Sequence, residues 1–252
     1  MNYTQLVDHV VTNGDLVPSR YGDTREALNL ALTIDPHEPP TRPGQSMALG
    51  YMELSQLLAG TFDRAAIERV APNANHNLFS LPMAYGPRIA DQVETIIWTL
   101  QNDPLTRRAV LLISKPEDGP TANLPCTISV QFLRRTQGLL TLVSMRSWDL
   151  IKGLPYDLVV FGGLAQAMAL AVGVPAGPLT VTAGSAHVYL TDLLKRPDGS
   201  TPDLEFYLTF NHFALAPGGE TVVPWKYIRE AAQVAVDPAT WTHKVPDYIK
   251  AY

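Results

Sequence analysis

Cys126 is the only cysteine in this chain of 252 residues, so no internal disulfide can involve it. Two interpretations are open: an apolar filler of the core, since unpaired cysteines are among the most buried residues, or a reactive thiol. Pro125 fixes the backbone before it. The residues Ile128, Val130 and Phe132 alternate with polar ones, as in a strand with one buried face. Cys126 is therefore predicted at the start of a strand, where a side chain can face a cleft.

Two carboxylates occupy positions where they could act as acids or bases. Glu53 lies within an apolar helix predicted over 47–58 and ended by Gly60. A solvated glutamate is the ordinary interpretation, but burial among apolar neighbours would raise the pKa of this carboxyl. Asp157 directly precedes an apolar helix predicted over 158–172. The simplest role of an aspartate at that position is an N-cap.

Several arginines are candidate anion ligands, because a guanidinium matches phosphate oxygens in a bidentate fork. Arg20 lies in a turn-rich segment with a glycine, and Arg107 and Arg108 precede a strand predicted over 109–113. Taken alone, each of them is equally compatible with surface charge. Arg146 lies near the start of a mixed polar run, 145–157, that we predict to be too polar for a core strand. His187 and Tyr189 are two residues apart on a predicted strand, so both side chains point to one side of it. They could bind a hydroxyl group together, or they could simply be half-exposed strand residues.

The elements that must position these residues alternate along the chain. Helices are predicted at 3–13, 47–58, 91–100, 158–172 and 226–234. Strands are predicted at 28–34, 109–113, from Cys126 to a hairpin at Gly138, and at 139–144, 179–182, 186–190 and 206–210. The segments 35–45 and 61–82 are predicted to be irregular.

Composition narrows the classes of function. The chain is 46% hydrophobic and 17% charged, with a net charge of −5, which argues against nucleic-acid binding but not against a small anionic ligand. The apolar stretch 158–174 is interrupted by glycines and Gln166, so it predicts a buried helix and not a membrane span. The N-terminus lacks the pattern of a signal peptide, and a single cysteine fits a reducing compartment. We expect a cytoplasmic protein with no metal site.

A set of motifs occurs in one order along the chain. They are Leu-Pro-Cys at 124–126, Gln-Phe at 131–132, Arg-Ser-Trp-Asp at 146–149, Gly-Leu-Pro-Tyr-Asp at 153–157 and His-Val-Tyr at 187–189; Glu-Leu at 53–54, Tyr-Gly at 85–86 and Arg-Arg at 107–108 are weaker matches. Together they resemble the thymidylate synthase family and its pyrimidine-nucleotide hydroxymethylase relatives. The likeness runs from about Arg20 to Tyr189 and is weak beyond it.

The resemblance implies a single catalytic domain over 1–252 with a mixed α/β (α+β) fold. A large twisted sheet would form a homodimer interface, with helices on its other face. It also implies that Cys126 is a nucleophile that adds to C6 of a pyrimidine nucleotide, its thiol pKa lowered by nearby arginines, and that the one-carbon donor is 5,10-methylenetetrahydrofolate. The other implied roles are phosphate binding by Arg20 and Arg146, phosphate binding across the dimer by Arg107 and Arg108, phosphate- or sugar-side contact by Ser147, sugar hydroxyl binding by His187 and Tyr189, folate binding by Asp149 and Gly153, and proton transfer by Glu53.

Departures from the family pattern point to one branch. Asp157 stands where thymidylate synthases carry asparagine, and a carboxyl suits the donor and acceptor pattern of cytosine better than that of uracil. No tryptophan lies between the Glu53 helix and Tyr85, where those enzymes have an indole that shelters the intermediate from water. Thr127 and Met145 also depart from the family. The sequence thus predicts a deoxycytidylate (dCMP) 5-hydroxymethyltransferase, of the kind that serves phage DNA modification or nucleoside biosynthesis.

Three alternatives stay open at this point. The same fold could act on CMP or dUMP, it could deliver a methyl group, or the chain could be a nucleotide-binding homologue without activity. The presence of Cys126, the arginines and the His187/Tyr189 pair argues against the last.

Overall fold

A computed structural model of the chain describes residues 3–38, 46–72, 81–119, 124–193 and 224–236. In chain order the elements are α1 (Tyr3–Asn13), β1 (Asp15–Val17), β2 (Thr24–Ile34), α2 (Met47–Ala59), α3 (Arg64–Val70), α4 (Gly86–Ile89), α5 (Val93–Asn102), β3 (Val110–Leu112), β4 (Thr127–Arg135), β5 (Gly138–Asp149), α6 (Leu154–Val172), β6 (Ala176–Tyr189), α7 (Leu190–Leu193) and α8 (Trp225–Val236).

The strands form one six-stranded mixed sheet in the order β1-β2-β6-β5-β4-β3. Strands β5 and β6 are parallel and are joined by α6, whereas the other neighbours are antiparallel. A parallel pair needs such a crossover connection. Along β6, Leu179, Val181 and Ala183 are buried, while Thr180 and Thr182 between them are not. The mixed α/β fold predicted from the sequence is therefore confirmed.

Helix α6 forms the centre of the core. It is capped at its C-terminus by Gly173 in the left-handed conformation, and it packs against α2, α5 and both parallel strands. It is long and apolar enough to cross a membrane, yet 72% of its apolar window is buried within the protein. That degree of burial is expected of a core helix. Phe161 of α6, together with Phe132 and Trp148 of the sheet, is among the largest fully buried side chains.

Some predicted boundaries were wrong. Segment 64–70, predicted to be irregular, forms α3, which Asp63 caps by accepting from the Ala66 N–H at 3.1 Å. Strand β5 continues through the polar run as far as Asp149, and β6 is one continuous strand where two were predicted. Pairing on both sides supplies backbone hydrogen bonds that outweigh local polarity. The predicted strand 206–210 and parts of the predicted irregular segments (39–45 and 73–80) lie outside the described residues.

Two adjacent glycines of α6 give a matched test of its packing. A Cβ on Gly163 would lie 2.1 Å from Cδ2 of the buried Leu54 in α2, whereas a Cβ on Gly162 would meet nothing closer than 3.2 Å. Both substitutions gain the same helix propensity. We expect G163A to have an unfolding free energy about 1–3 kcal/mol below that of G162A, because overpacking displaces Leu54. Urea denaturation of both variants measures the difference, and equal stabilities would contradict the close approach of the two helices.

Candidate active site

Cys126 lies immediately before β4 and is partly buried. Its carbonyl accepts a hydrogen bond from the backbone N–H of Arg146 at 2.9 Å, which ties it to β5. The guanidinium of Arg146 donates to the carbonyls of Leu124 and Pro125 at 2.8 and 3.0 Å. The same guanidinium places Nη2 3.9 Å from the Cys126 Sγ. The predicted pairing of the cysteine with an arginine is thus present within one chain.

The pKa of the Cys126 thiol nevertheless differs in direction from the prediction. Burial raises it above its ordinary value, Arg146 lowers it, and the carboxylates of Asp157 and Asp149 raise it further. The expected depression by arginines was wrong for the free protein, because desolvation of a thiolate outweighs one cation at this distance. The thiolate is therefore a minor form at neutral pH, and Arg146 is the group that stabilises it.

Alkylation tests this balance without ambiguity, since the chain has one cysteine. The rate of reaction with iodoacetamide should rise with pH to a midpoint above that of an ordinary cysteine, which is about 8.5. The variant R146M should move the midpoint higher still, because it removes the cation that favours the thiolate. The urea-unfolded protein serves as the control and should return the ordinary midpoint. A native midpoint below that of the unfolded protein would contradict the assignment.

Two carboxyl groups interact with each other, and one of them, Asp157, also acts on this cysteine. Burial raises the pKa of Asp157 to about 7, with the charge of Asp149 adding to the effect. The pKa of Glu53 in α2 is raised to about 8, first by burial and then by the charge of Asp157. Two such groups cannot readily both ionise in a low-dielectric site, so the pair holds at least one proton near pH 7. The raised pKa predicted for Glu53 is found, and its side chain is half-buried in α2.

Asp157 is not the helix N-cap that its sequence position first suggested. Helix α6 begins at Leu154, Gly153 occupies the N-cap position, and Asp157 falls in the first turn. Its carboxyl group accepts a hydrogen bond from the indole N–H of Trp148, with Nε1 3.1 Å from Oδ2. The side chain is thus directed toward β5 and the cysteine and not toward the N–H groups of its own helix.

Tyr85 completes this side of the site. Its hydroxyl oxygen accepts hydrogen bonds from the side chain and the backbone N–H of Thr127, at 3.1 and 3.4 Å. Its ring stacks on Phe161, with centroids 6.2 Å apart. Burial raises the pKa of the phenol, and the charges of Asp157 and Cys126 act in the same direction. Tyr85 is therefore a neutral hydroxyl beside the cysteine at every working pH.

A second group of polar side chains lies across three neighbouring strands. In the sheet register His187 of β6 is opposite Asp149 of β5 on one side and Glu26 of β2 on the other. Desolvation lowers the pKa of His187 more than these carboxylates raise it. The His187 and Tyr189 rings meet edge to face at 5.1 Å, which confirms that both side chains point to one side. The Asp149 Oδ1 accepts from the backbone N–H groups of Ile151 and Lys152, both at 2.9 Å.

The remaining candidates differ in how close they come to these groups. Arg20 is exposed and stacks on Tyr21, 4.6 Å from its ring centre, while the neighbouring Ser19 hydrogen-bonds Tyr189; the loop therefore adjoins the His187 group. Ser147 is half-buried opposite Ser185, and its hydroxyl makes no hydrogen bond within the described residues.

Arg107 and Arg108 lie away from Cys126 in the same chain. The Arg107 carbonyl accepts from Gln131 at 2.8 Å, and Arg108 pairs with Asp103 at 3.0 Å. Gln131 is five residues beyond Cys126 on the strand, roughly 15–20 Å at a rise of about 3.3 Å per residue. Both arginines are exposed, so neither contributes to the Cys126 group of its own chain.

The structure also brings in residues to which the sequence gave no role. Trp148 and Tyr85 stood inside the motifs quoted above, and Thr127 was noted only as a departure. Lys152 pairs with Asp192 and lies 5.1 Å from the Tyr189 ring centre. Nothing in the spacing of these residues signals the contacts, because each depends on how two separate elements pack against each other.

Comparison with known proteins explains why these residues converge. The family model described as thymidylate synthase matches residues 73–212, more than half of the chain. The chain belongs to the thymidylate synthase family. It is 33% identical over 104 residues to the thymidylate synthase of varicella-zoster virus (strain Dumas), covering 41% of this chain and 35% of that protein. It is 33% identical over 101 residues to that of Brachyspira hyodysenteriae, covering 39% and 38%.

The matched region of this thymidylate synthase family member holds only part of the site. Cys126, Asp157 and the His187/Tyr189 pair fall within residues 73–212, whereas Arg20 and Glu53 precede them. The place of Glu53 in the site therefore rests on its electrostatic interaction with Asp157. The chain spans about a third of the length of the curated relatives it matches.

Proposed function

We propose that this chain transfers a one-carbon unit from 5,10-methylenetetrahydrofolate to C5 of a cytosine nucleotide, with dCMP favoured, and that water completes the reaction to give 5-hydroxymethyl-dCMP. The observation that carries the proposal is the Asp157 carboxyl. It lies beside Cys126 and Glu53, and its pKa is raised to about 7. It is therefore half-protonated near neutral pH, which is the condition for sharing a proton with a cytosine ring.

Covalent activation of the ring begins with Cys126. Its thiolate adds to C6, the new S–C6 bond forms, and the C5–C6 electron pair moves onto C5 and the conjugated N3–C4 system. Arg146, with Nη2 3.9 Å from Sγ, stabilises the thiolate before attack. C5 is then the nucleophilic carbon of the substrate. Loss of its hydrogen and later departure of Cys126 from C6 restore the aromatic ring.

The Asp157 carboxyl distinguishes the base. Cytosine presents an amino donor at C4 and an acceptor at N3, whereas uracil presents the reverse. A carboxyl that shares one proton with N3 can accept from the amino group through its other oxygen. Sharing that proton also eases attack at C6, because it withdraws electrons from the ring. A mispaired buried edge costs about 1–3 kcal/mol per hydrogen bond, which is enough to set the base preference.

Water completes the proposed reaction. The sequence has tryptophans only at 98, 148, 225 and 241, so no indole from the segment between Glu53 and Tyr85 excludes solvent from the intermediate. Glu53, whose pKa of about 8 keeps it protonated at neutral pH, can exchange a proton with a water near the ring. Once the folate nitrogen has left the transferred carbon, addition of that water to it, with loss of one water proton and departure of the Cys126 thiolate from C6, would give the hydroxymethyl product.

The Asp149 carboxylate and the open space beside Gly153, at the end of β5, suit a folate. When bound, methylenetetrahydrofolate supplies a one-carbon unit at the oxidation level of formaldehyde. Within the described residues the Asp149 Oδ2 makes no hydrogen bond, so it is available to accept from a pterin N–H. Gly153 keeps the neighbouring space open, since a Cβ there would lie 3.0 Å from the Asp149 carbonyl and 3.2 Å from the Asp157 Oδ2.

A homodimer would complete the phosphate site. Arg107 and Arg108 are exposed and distant from Cys126 in their own chain, so a role in binding the substrate phosphate requires a second copy. The sheet face that α6 leaves open is the natural contact surface. On the sheet strands Leu28 is 67% exposed and Ile128 40% exposed, which is unusual for apolar strand residues in an isolated chain.

Product mass tests the proposal directly. The protein is incubated with methylenetetrahydrofolate and dCMP, CMP or dUMP in turn, and the nucleotide is analysed by mass spectrometry. The proposal predicts a gain of CH₂O on dCMP. A gain of CH₂ alone would refute the water step, activity only on dUMP would refute the cytosine assignment, and a preference for CMP would assign the ribonucleotide.

A further inference from the structure

We infer that Arg88 is a positioning residue, which fixes the placement of Cys126 relative to the Tyr85 hydroxyl. The inference rests on the proposed role of Cys126 as the nucleophile. Arg88 lies in α4, three residues beyond Tyr85, and only 9% of its surface is exposed. A buried cation needs a counter-ion and a partner for each of its N–H groups. The partners of Arg88 therefore show which segments it holds together.

All five N–H groups of the Arg88 guanidinium donate hydrogen bonds. Nε and Nη2 both donate to the carbonyl of Pro82, Nε at 3.0 Å. Nη1 donates to the Ile113 carbonyl at 2.7 Å and to the Asp118 Oδ2 at 2.9 Å, and Nη2 donates to the Asp118 Oδ1 at 2.6 Å. Because the guanidinium is planar and rigid, it holds the segment before Tyr85 and the segment after β3 in one fixed geometry.

The Ile113 carbonyl that Arg88 holds belongs to a link with strand β4. The backbone N–H groups of Ile113 and Ser114 both donate to the Ile128 carbonyl at 3.0 Å. Ile128 is two residues beyond Cys126 in the sequence. Arg88 thereby fixes the start of β4, and with it the backbone that carries the thiol.

Tyr85 and Thr127 close a ring of hydrogen bonds with Arg88. Thr127, which directly follows Cys126 and is fully buried, donates from Oγ1 to the Tyr85 hydroxyl oxygen at 3.1 Å. The Tyr85 carbonyl in turn accepts from the backbone N–H of Arg88 at 3.0 Å. The tyrosine hydroxyl therefore cannot move relative to the start of β4 unless one of these bonds breaks. A hydroxyl held in this way keeps its distance from a reacting thiol, which is the geometric condition for efficient chemistry.

The counter-ion of Arg88 makes it possible to separate positioning from stability. The side chains of Arg88 and Asp118 are 11% and 12% exposed, and the hydrogen bonds from Arg88 lower the pKa of Asp118. Loss of Arg88 alone leaves a carboxylate without its partner, which destabilises the fold. In R88M/D118N both charges are removed, and the amide oxygen can still accept from the Lys115 N–H that Asp118 now binds at 2.8 Å. This double variant should unfold at a higher urea concentration than R88M and yet lack the ring.

Kinetics and alkylation of R88M/D118N test the inference. With methylenetetrahydrofolate and whichever of dCMP and dUMP wild type converts faster, kcat should fall by about 10²-fold, the effect of displacing reacting groups by about 1 Å. KM should stay within a few-fold of wild type, because the candidate phosphate ligands lie outside the ring. The pH midpoint for iodoacetamide alkylation of Cys126 should fall toward that of the unfolded protein, because a loosened β4 exposes the thiol to water. R64M/E68L, which removes an exposed ion pair in α3, is the matched control and should match wild type.

Four outcomes would decide the question. A wild-type kcat and a wild-type alkylation midpoint in folded R88M/D118N would overturn the inference, as would a rise in KM at unchanged kcat. If the double variant does not fold, R88K keeps the charge but cannot reach Pro82, Ile113 and Asp118 at once. It should show both changes at smaller size, and an R88K protein identical to wild type would overturn the inference. Wild type active only on dUMP would instead refute the proposed cytosine substrate, and the alkylation midpoint would still test the placement of the thiol.

Discussion

Replacing Cys126 by serine should reduce formation of the C5-modified nucleotide by on the order of 10⁴-fold or more, the scale seen when a covalent nucleophile is removed from an enzyme. A serine hydroxyl keeps the size and position of the side chain but ionises far less readily than a thiol. The Arg146 guanidinium, 3.9 Å from Sγ, is a cation and not a base, so it cannot take the hydroxyl proton. Product formation by mass spectrometry measures the loss.

Trapping distinguishes loss of the nucleophile from loss of the fold. The reaction normally removes a proton from C5, and a fluorine at that position cannot leave as F⁺. Wild type incubated with a 5-fluoro-cytosine nucleotide and the folate should therefore stop at the covalent complex and gain its mass. C126S should bind dCMP with an affinity within a few-fold of wild type and yet show no such gain. Undiminished tritium release from C5 of the nucleotide in C126A would show that the assigned chemistry is wrong.

The sequence predicted where this cysteine lies but not the direction in which its pKa is shifted. Alternating residues after Pro125 predicted a strand, and β4 begins at Thr127. The pKa direction depends on how deeply Sγ is buried and on the carboxylates of Asp157 and Asp149, which approach it from α6 and the end of β5. Those distances arise from tertiary packing. Residue spacing could therefore predict that an arginine lies near the thiol, but not that burial and the carboxylates would outweigh its effect on the pKa.

The same limit applies to the fold. The period of apolar residues predicted α1 and α2 to within one residue at each end. The buried face of a helix determines the spacing of apolar residues within its own sequence, so such helices can be predicted locally. It failed for β5 beyond Ser144, where polar residues occupy a strand held by neighbours on both sides. Neither the apolar period nor the family resemblance predicted the order of strands in the sheet. Parallel pairing of β5 with β6 leaves no local signature apart from the long helix between them.

The second large effect is expected at Asp157. The variant D157N should lose activity on dCMP and gain relative activity on dUMP, changing the dCMP to dUMP ratio of kcat/KM by about 10²-fold or more. An amide oriented to accept from N3–H of uracil and to donate to its O4 places its NH₂ against the amino group of cytosine and its oxygen against the N3 lone pair. Two mispaired hydrogen bonds at about 1–3 kcal/mol each account for that magnitude.

The pH dependence supplies an independent check on D157N. Wild-type activity on dCMP requires one proton shared by Asp157 and N3. Because burial raises the pKa of Asp157 to about 7, the protonated form predominates below that pH, and kcat/KM for dCMP should fall as the pH rises through it. The amide of D157N does not titrate, so its profile on dUMP should lack this limb and keep only the rise from ionisation of Cys126. An alkaline limb near pH 7 that persists in D157N would assign the shared proton to Glu53, whose pKa is raised to about 8, and would remove Asp157 from base recognition.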